Sequence, residues 1–304
     1  MTRGTDTCAK RHSRLRSANR RRPGNKRTDK DMRDFNDQAR PPPAALKDHQ
    51  KELVKLINGI SYRHSHWQVF SDFVEMGAIS FSNAIDTAQR AAREARYMEI
   101  VKRYKPEEVQ SFPHMLAELT MALEEEPDDV LGRTFHDLEL HNKWAGQFFS
   151  PYHLCRMMAK VTIGDKADLA ARIAERGFVT ASEPAAGSGA MVIALAHEMR
   201  DAGINYQQHL HVTAVDVDAK CVHMAYLQFS LLHIPAVIIH GNSLSLEEFG
   251  HWYTPAHIMG RWRHKLSRAP EGAHHVEAAP GPLASAPQPE GRDEPSEPSQ
   301  LTLF

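Results

Sequence analysis

The sequence predicts an α/β protein with a parallel sheet, preceded by a helical region. Three observations predict it. Short β-type runs alternate with amphipathic helices after residue 146, a glycine turn sits where the first such run meets the next helix, and residues 44–145 carry helical periodicity throughout.

In the helical region, Leu46, His49, Leu53, Leu56 and Ile57 recur at three and four residues, with Gly59 placed to end the helix. A second amphipathic stretch runs through Trp67, Phe70, Phe73 and Val74. A third has Ser82 as its N-cap and Pro106 as its stop, and carries Ile85, Ala88, Ala92, Ala95, Ile100 and Val101. Pro113 opens another, through Leu116, Leu119 and Leu123. Residues 44–145 therefore read as a bundle of four or five helices whose Trp and Phe anchor the core. His64 and His66 receive no metal role, because no acid or cysteine stands near them in the sequence.

Ser150-Pro151 reads as an N-cap and first-turn proline before a helix through Leu154, Met157 and Met158. Residues 166–176 form another, ended by Gly177. The alternation follows: a strand at 178–183, a helix from Gly189 to Ala202 stopped by Gly203, a strand at 211–216, a helix from Asp218 to Leu232 and a strand at 236–240. Ligands of such sheets bind at the carboxyl ends of the strands. The 123 residues of 146–268 are few for a complete sheet, and no substantial strand is expected beyond the third.

The formal net charge of −1 averages two opposed ends. Twelve basic and three acidic side chains fall in the first 33 residues, whereas six acids and one base fall from Pro270 onward. The arm at 1–43, closed by Pro41-Pro42-Pro43, has too few apolar residues to fold alone; it suits phosphate binding, or it is a solvated tail with Met32 as the true start. Residues 269–304 read as an acidic linker rich in Pro, Ala, Glu and Ser. Three scattered cysteines, Cys8, Cys155 and Cys221, make no disulfide framework and predict a reduced, cytoplasmic compartment. No apolar run approaches the length of a membrane span, and no signal peptide is legible.

Chemistry concentrates in Glu183-Pro-Ala-Ala-Gly187-Ser-Gly189. Two glycines one residue apart permit a sharp turn and open the helix N-terminus to a ligand. A dinucleotide fingerprint would require glycine at Val192, so a nicotinamide reading loses ground. Asp216 ends the next strand, where a carboxylate can accept from both ribose hydroxyls, and Gly241-Asn242-Ser243 follows the third with an amide suited to an adenine edge. Together they describe a pocket for an adenosine without a pyrophosphate, which S-adenosylmethionine fits.

Gly146-Gln-Phe-Phe-Ser-Pro151, EPAAGSGAM at 183–191, VDVD at 215–218 and HGNSL at 240–244 resemble the N6-adenine DNA methyltransferases, in particular type I restriction modification subunits and their relatives on plasmids and integrative elements. The resemblance implies a Rossmann-like S-adenosylmethionine-dependent methyltransferase fold over 146–268, here with a truncated sheet, and a helical domain over 44–145. It implies that Phe148, Phe149, Ser150 and Pro151 fold over the methionine part of the cofactor. Glu183, with Pro184 and Ala185, and the Gly187–Gly189 turn would hold the methionine end. Asp216 would bind the ribose, and Asn242 would lie near the adenine. DNA is the implied substrate, and a specificity or partner subunit an implied companion.

The family's catalytic block, Asn or Asp followed by Pro-Pro and an aromatic, does not follow Asn242. Tyr253-Thr-Pro-Ala256 is the nearest piece and lacks the leading amide and the second proline, so no catalytic residue is assigned. The alternative function is a cofactor-binding but catalytically inactive DNA-associated protein of a mobile element. His251, Trp252, Arg261, Trp262, Arg263, His264, Lys265 and Arg268 form a basic and aromatic cluster that either grips nucleic acid or caps a core with its tryptophans. Gln300-Leu301-Thr-Leu303-Phe304 resembles the pentapeptide by which replication proteins dock on a sliding clamp, presented here on a flexible tether.

Overall fold

The computed structural model describes residues 48–140 and 149–268, together with the backbone of 276–277. Helix α1 (His49–Ile60) is capped by Asp48, whose carboxylate accepts from Lys51 N. Gly59 does not end it: the helix runs on to buried Ile60. Helix α2 (His66–Ile85), capped by Ser65, buries Val69, Phe70, Phe73 and Val74. It also carries Ser82, the expected cap of the next helix, as a buried residue of its last turns. The Ser82 hydroxyl accepts from Arg93 instead of capping a backbone amide, and α3 (Arg90–Val101) starts eight residues later than that cap. Short α4 (Pro106–Val109) and α5 (Ser111–Glu125) follow, then α6 (Val130–Asp137), which the apolar pattern had not marked as a separate helix. His64 does have an acid beside it in space, Glu108 at 3.5 Å, but no cluster of three potential metal ligands occurs among the described residues.

Helix α7 (Tyr152–Ile163) has Pro151 at its cap position, and no side chain, Ser150 included, caps it. Helix α8 (Lys166–Arg176) ends at left-handed Gly177, and β1 (Val179–Glu183) follows. Then come α9 (Ala190–Asp201), the single turn α10 (Tyr206–His209), β2 (Leu210–Asp216), α11 (Ala219–Leu231, capped by Asp218) and β3 (Ala236–Asn242). The last elements are β4 (Glu247–Tyr253), α12 (Pro255–Met259), α13 (Trp262–Ser267) and the two-residue β5 (Val276–Glu277).

The sheet order is β4-β3-β2-β1-β5, with β1, β2 and β3 mutually parallel, as expected. The expectation of no further substantial strand fails. Seven-residue β4 pairs antiparallel with β3, and its segment EEFGHWY escaped notice because, as an edge strand, it lacks the apolar alternation of a half-buried one. Along β2 and β3, fully buried Leu210, Val212, Ala214, Ala236 and Ile238 alternate with residues of the opposite face. On that opposite face His211 Nε2 lies 2.9 Å from His257 Nδ1, and the Trp262 ring packs against His211 and Phe178. The helices before residue 140 and the α/β part share one hydrophobic core, with α2 laid along α11.

Burial, with the His257 charge adding to it, lowers His211 to about 3, and burial likewise lowers His223 to about 4 and His257 below its ordinary value. Each of these rings takes up its proton in the unfolded chain first, so its contribution to stability is complete above pH 6.5 and is lost as the pH falls through the folded value. His211→Gln should therefore lose less stability than the wild type between pH 6.5 and 4. The difference should approach about 1.4 kcal/mol per pH unit in urea unfolding; parallel curves would contradict the assignment.

Candidate functional site

The carboxyl ends of β1 and β2 converge on the glycine turn. Gly187 and Gly189 have φ of 54° and 96°, values that residues with a Cβ rarely adopt. Two bonds tie the turn to β2: Gly187 N donates to Asp216 Oδ2 at 2.7 Å, and Ala186 N donates to Val215 O at 2.8 Å. The other Asp216 oxygen accepts from Asp218 N at 2.9 Å. A carboxylate has about four lone-pair sites, so acceptor capacity remains for the hydroxyls of a ribose.

Glu183 ends β1 and is 7% exposed. Its hydrogen bond comes from the neutral Ala185 N at 3.2 Å. Burial raises it to about 7, and the nearby Asp216 charge pushes the same way. Burial raises Asp216 as well, against the two backbone amides that lower it. Buried Glu183 and half-buried Asp216, at the ends of adjacent strands, form an acidic corner that would favour a cation.

Phe149 covers the turn. A Cβ on Gly187 would lie 3.1 Å from its ring, a crowded contact that adds to the backbone angle's demand for glycine. Phe149 in turn packs edge-on against Phe135 of α6, with ring centroids 5.1 Å apart. Behind them, Lys220 in the first turn of α11 places its ammonium 4.0 Å over the Trp67 ring and 3.2 Å from Asp218 Oδ2. The helical part of the chain thus forms one wall of the site.

Of the residues expected from sequence, Phe149, Glu183, Pro184, Ala185, Gly187, Gly189 and Asp216 come together here, with Pro184 and Ala185 exposed on the turn. Ser150 and Pro151 are exposed and lead from Phe149 into α7; Phe148 lies outside the described residues. Asn242 stands at the carboxyl end of β3. Its carbonyl oxygen accepts from Leu244 N and Ser245 N, so its NH2 is the group left to face a ligand. Tyr253-Thr-Pro-Ala256 falls at the other end of the sheet. Tyr253 pairs with Val237, five residues and about 17 Å below Asn242, and Thr254 Oγ1 is engaged with Ile234 O and Ala236 N. In the basic and aromatic cluster, Trp262 is buried and Trp252 packs against the core, as the capping alternative requires. Asp129, Gln228 and Lys220 were missed; Asp129 before Val130-Leu131 carries a helix-cap signal, but nothing local to the sequence joins it to the turn.

The turn and the two carboxylates stand at the carboxyl ends of parallel strands, where α/β sheets bind their ligands. Residues 129–262 match the family described as N-6 DNA methylase, a similarity that implies S-adenosylmethionine as cofactor. A solved structure of a class I S-adenosylmethionine-dependent methyltransferase from Listeria monocytogenes shares 13% identity, with a TM-score of 0.38, over 65% of this chain and 54% of that one. The chain thus spans about half the length of that protein. No curated protein matches.

The residues present fit this cofactor. Its α-ammonium and sulfonium are cations, the corner at Glu183 and Asp216 is anionic, and Phe149 offers an aromatic face. Because Glu183 must be ionised to pair with the ammonium, affinity should fall as the pH drops below 7, approaching tenfold per unit. Glu183→Gln should bind more weakly and lose that slope in isothermal titration; an unchanged slope would remove Glu183 from the role.

Proposed function

We propose that the protein transfers the methyl group of S-adenosylmethionine to the N6 amino group of adenine in DNA. The observation that carries this reading is the glycine turn held between Glu183 and Asp216 under Phe149, inside the segment matched by the N-6 DNA methylases. In this reading Glu183 and the turn hold the methionine end, Asp216 accepts from the ribose and the Asn242 NH2 donates to the adenine. Phe149, with Phe148, Ser150 and Pro151, folds over the sulfonium side. When bound, the cofactor supplies an electrophilic methyl group. The protein acts in the cytoplasm, with a specificity or partner subunit. No helix among the described residues is long and apolar enough to cross a membrane.

One observation favours a second reading, a cofactor-binding DNA-associated protein without transfer activity of its own. The stretch nearest to the family's catalytic tetrapeptide, Tyr253-Thr-Pro-Ala256, is built into the far end of the sheet and the cap of α12. Incubation with labelled cofactor and mixed-sequence DNA should yield N6-methyladenine, and Asp216→Ala should reduce the yield at least about tenfold. Failure in purified form and in host lysate would leave the second reading.

Gln300, Leu301, Leu303 and Phe304 lie outside the described residues. As a docking peptide for a sliding clamp they should be separable from the cofactor site: deleting residues 300–304 should abolish clamp capture and leave cofactor affinity unchanged. Retained capture would refute that role.

A further inference from the structure

Ser188, between the two left-handed glycines, is held by both of its handles. Its hydroxyl donates to Asp129 Oδ2 at 2.6 Å, and its carbonyl accepts from Gln228 Nε2 at 2.8 Å. Gln228 Nε2 also donates to Asp129 Oδ1 at 3.0 Å, and Gln228 Oε1 accepts from Leu131 N. Asp129, Ser188 and Gln228 are all buried, and among the described residues the Asp129 carboxylate is hydrogen-bonded to neutral donors. Asp129 also caps α6 through Gly132 N at 2.9 Å, but capping needs only one of its oxygens. The chain is shaped around the other one too. A Cβ on residue 132 would sit 1.9 Å from Asp129 Oδ2, so a glycine stands in the first turns of a helix to admit the carboxylate.

Two glycine-type conformations on either side of one residue are costly to fix, and a turn fixed before the ligand arrives binds it more tightly. We propose that Asp129 is a positioning residue for cofactor binding, acting through Ser188 and Gln228 to hold the Gly187–Gly189 turn in its binding form. This rests on the reading of that turn as the S-adenosylmethionine site. Asp129 lies in the helical part, 59 residues before Ser188, and makes that part a component of the cofactor site.

The test is isothermal titration of S-adenosylmethionine into the full chain, with amide hydrogen exchange of residues 185–190 in the free protein. Asp129→Ser keeps a helix-capping oxygen but cannot reach Ser188 and Gln228 together. D129S and S188A should each weaken binding about tenfold, and the double variant should be no weaker than D129S. Exchange at 185–190 should rise in both while β2 and β3 stay protected. Wild-type affinity in D129S, or losses that multiply in the double variant, would show that Asp129 serves only as a cap. If D129S fails to fold, S188A decides through its affinity and exchange, and wild-type values there overturn the proposal. Absence of binding by the wild type overturns the cofactor reading together with the proposal, whereas wild-type binding with unaffected variants overturns the proposal alone.

Discussion

The amide of Gly187 donates across the sheet to the carboxylate of Asp216, and this contact constrains most of the site. The parallel register of β1 and β2 pairs Glu183 with Ala214, so Asp216 projects two residues beyond the end of β1. Only from there can its oxygen meet the turn that leaves β1. Slipping the register by one residue would move Asp216 to the other face and bring Val215 or Val217 to the turn instead. The buried apolar alternation of β2 therefore fixes the site as firmly as it fixes the core.

That arrangement concentrates negative charge. Glu183 and Asp216 are both shielded from water and both hold their protons more tightly than ordinary carboxylates. The nearby cation, Lys220, is committed to Asp218 and to the Trp67 face rather than to Glu183. A cationic cofactor relieves the imbalance, which makes the corner electrostatically incomplete by itself.

Much of the α/β part was legible because its punctuation is local. Gly177, Gly203 and Asp218 each end or start an element by backbone conformation or side-chain capping that a few neighbouring residues reveal. Glu183, the glycine turn and Asp216 could be read because they stand at those boundaries. Ser82 misled for the reverse reason: its hydroxyl suits a cap, but its partner is Arg93, on another helix. β4 was invisible because none of its residues is fully buried, so no apolar alternation marks it. The links from Asp129 to Ser188 and Gln228 span 59 and 99 residues, and no periodicity carries information over such separations.

The same long links bear on what the minimal cofactor-binding piece of this protein is. The change of pattern at residue 146 invites a division there, with the alternating strands and helices kept as a self-sufficient module. A fragment divided at that point would keep every glycine and acid of the turn and still lose the carboxylate that faces Ser188 and Gln228, leaving the Ser188 hydroxyl and Gln228 Oε1 without their partners. The functional boundary therefore runs before Asp129, where the match to the N-6 DNA methylases also begins.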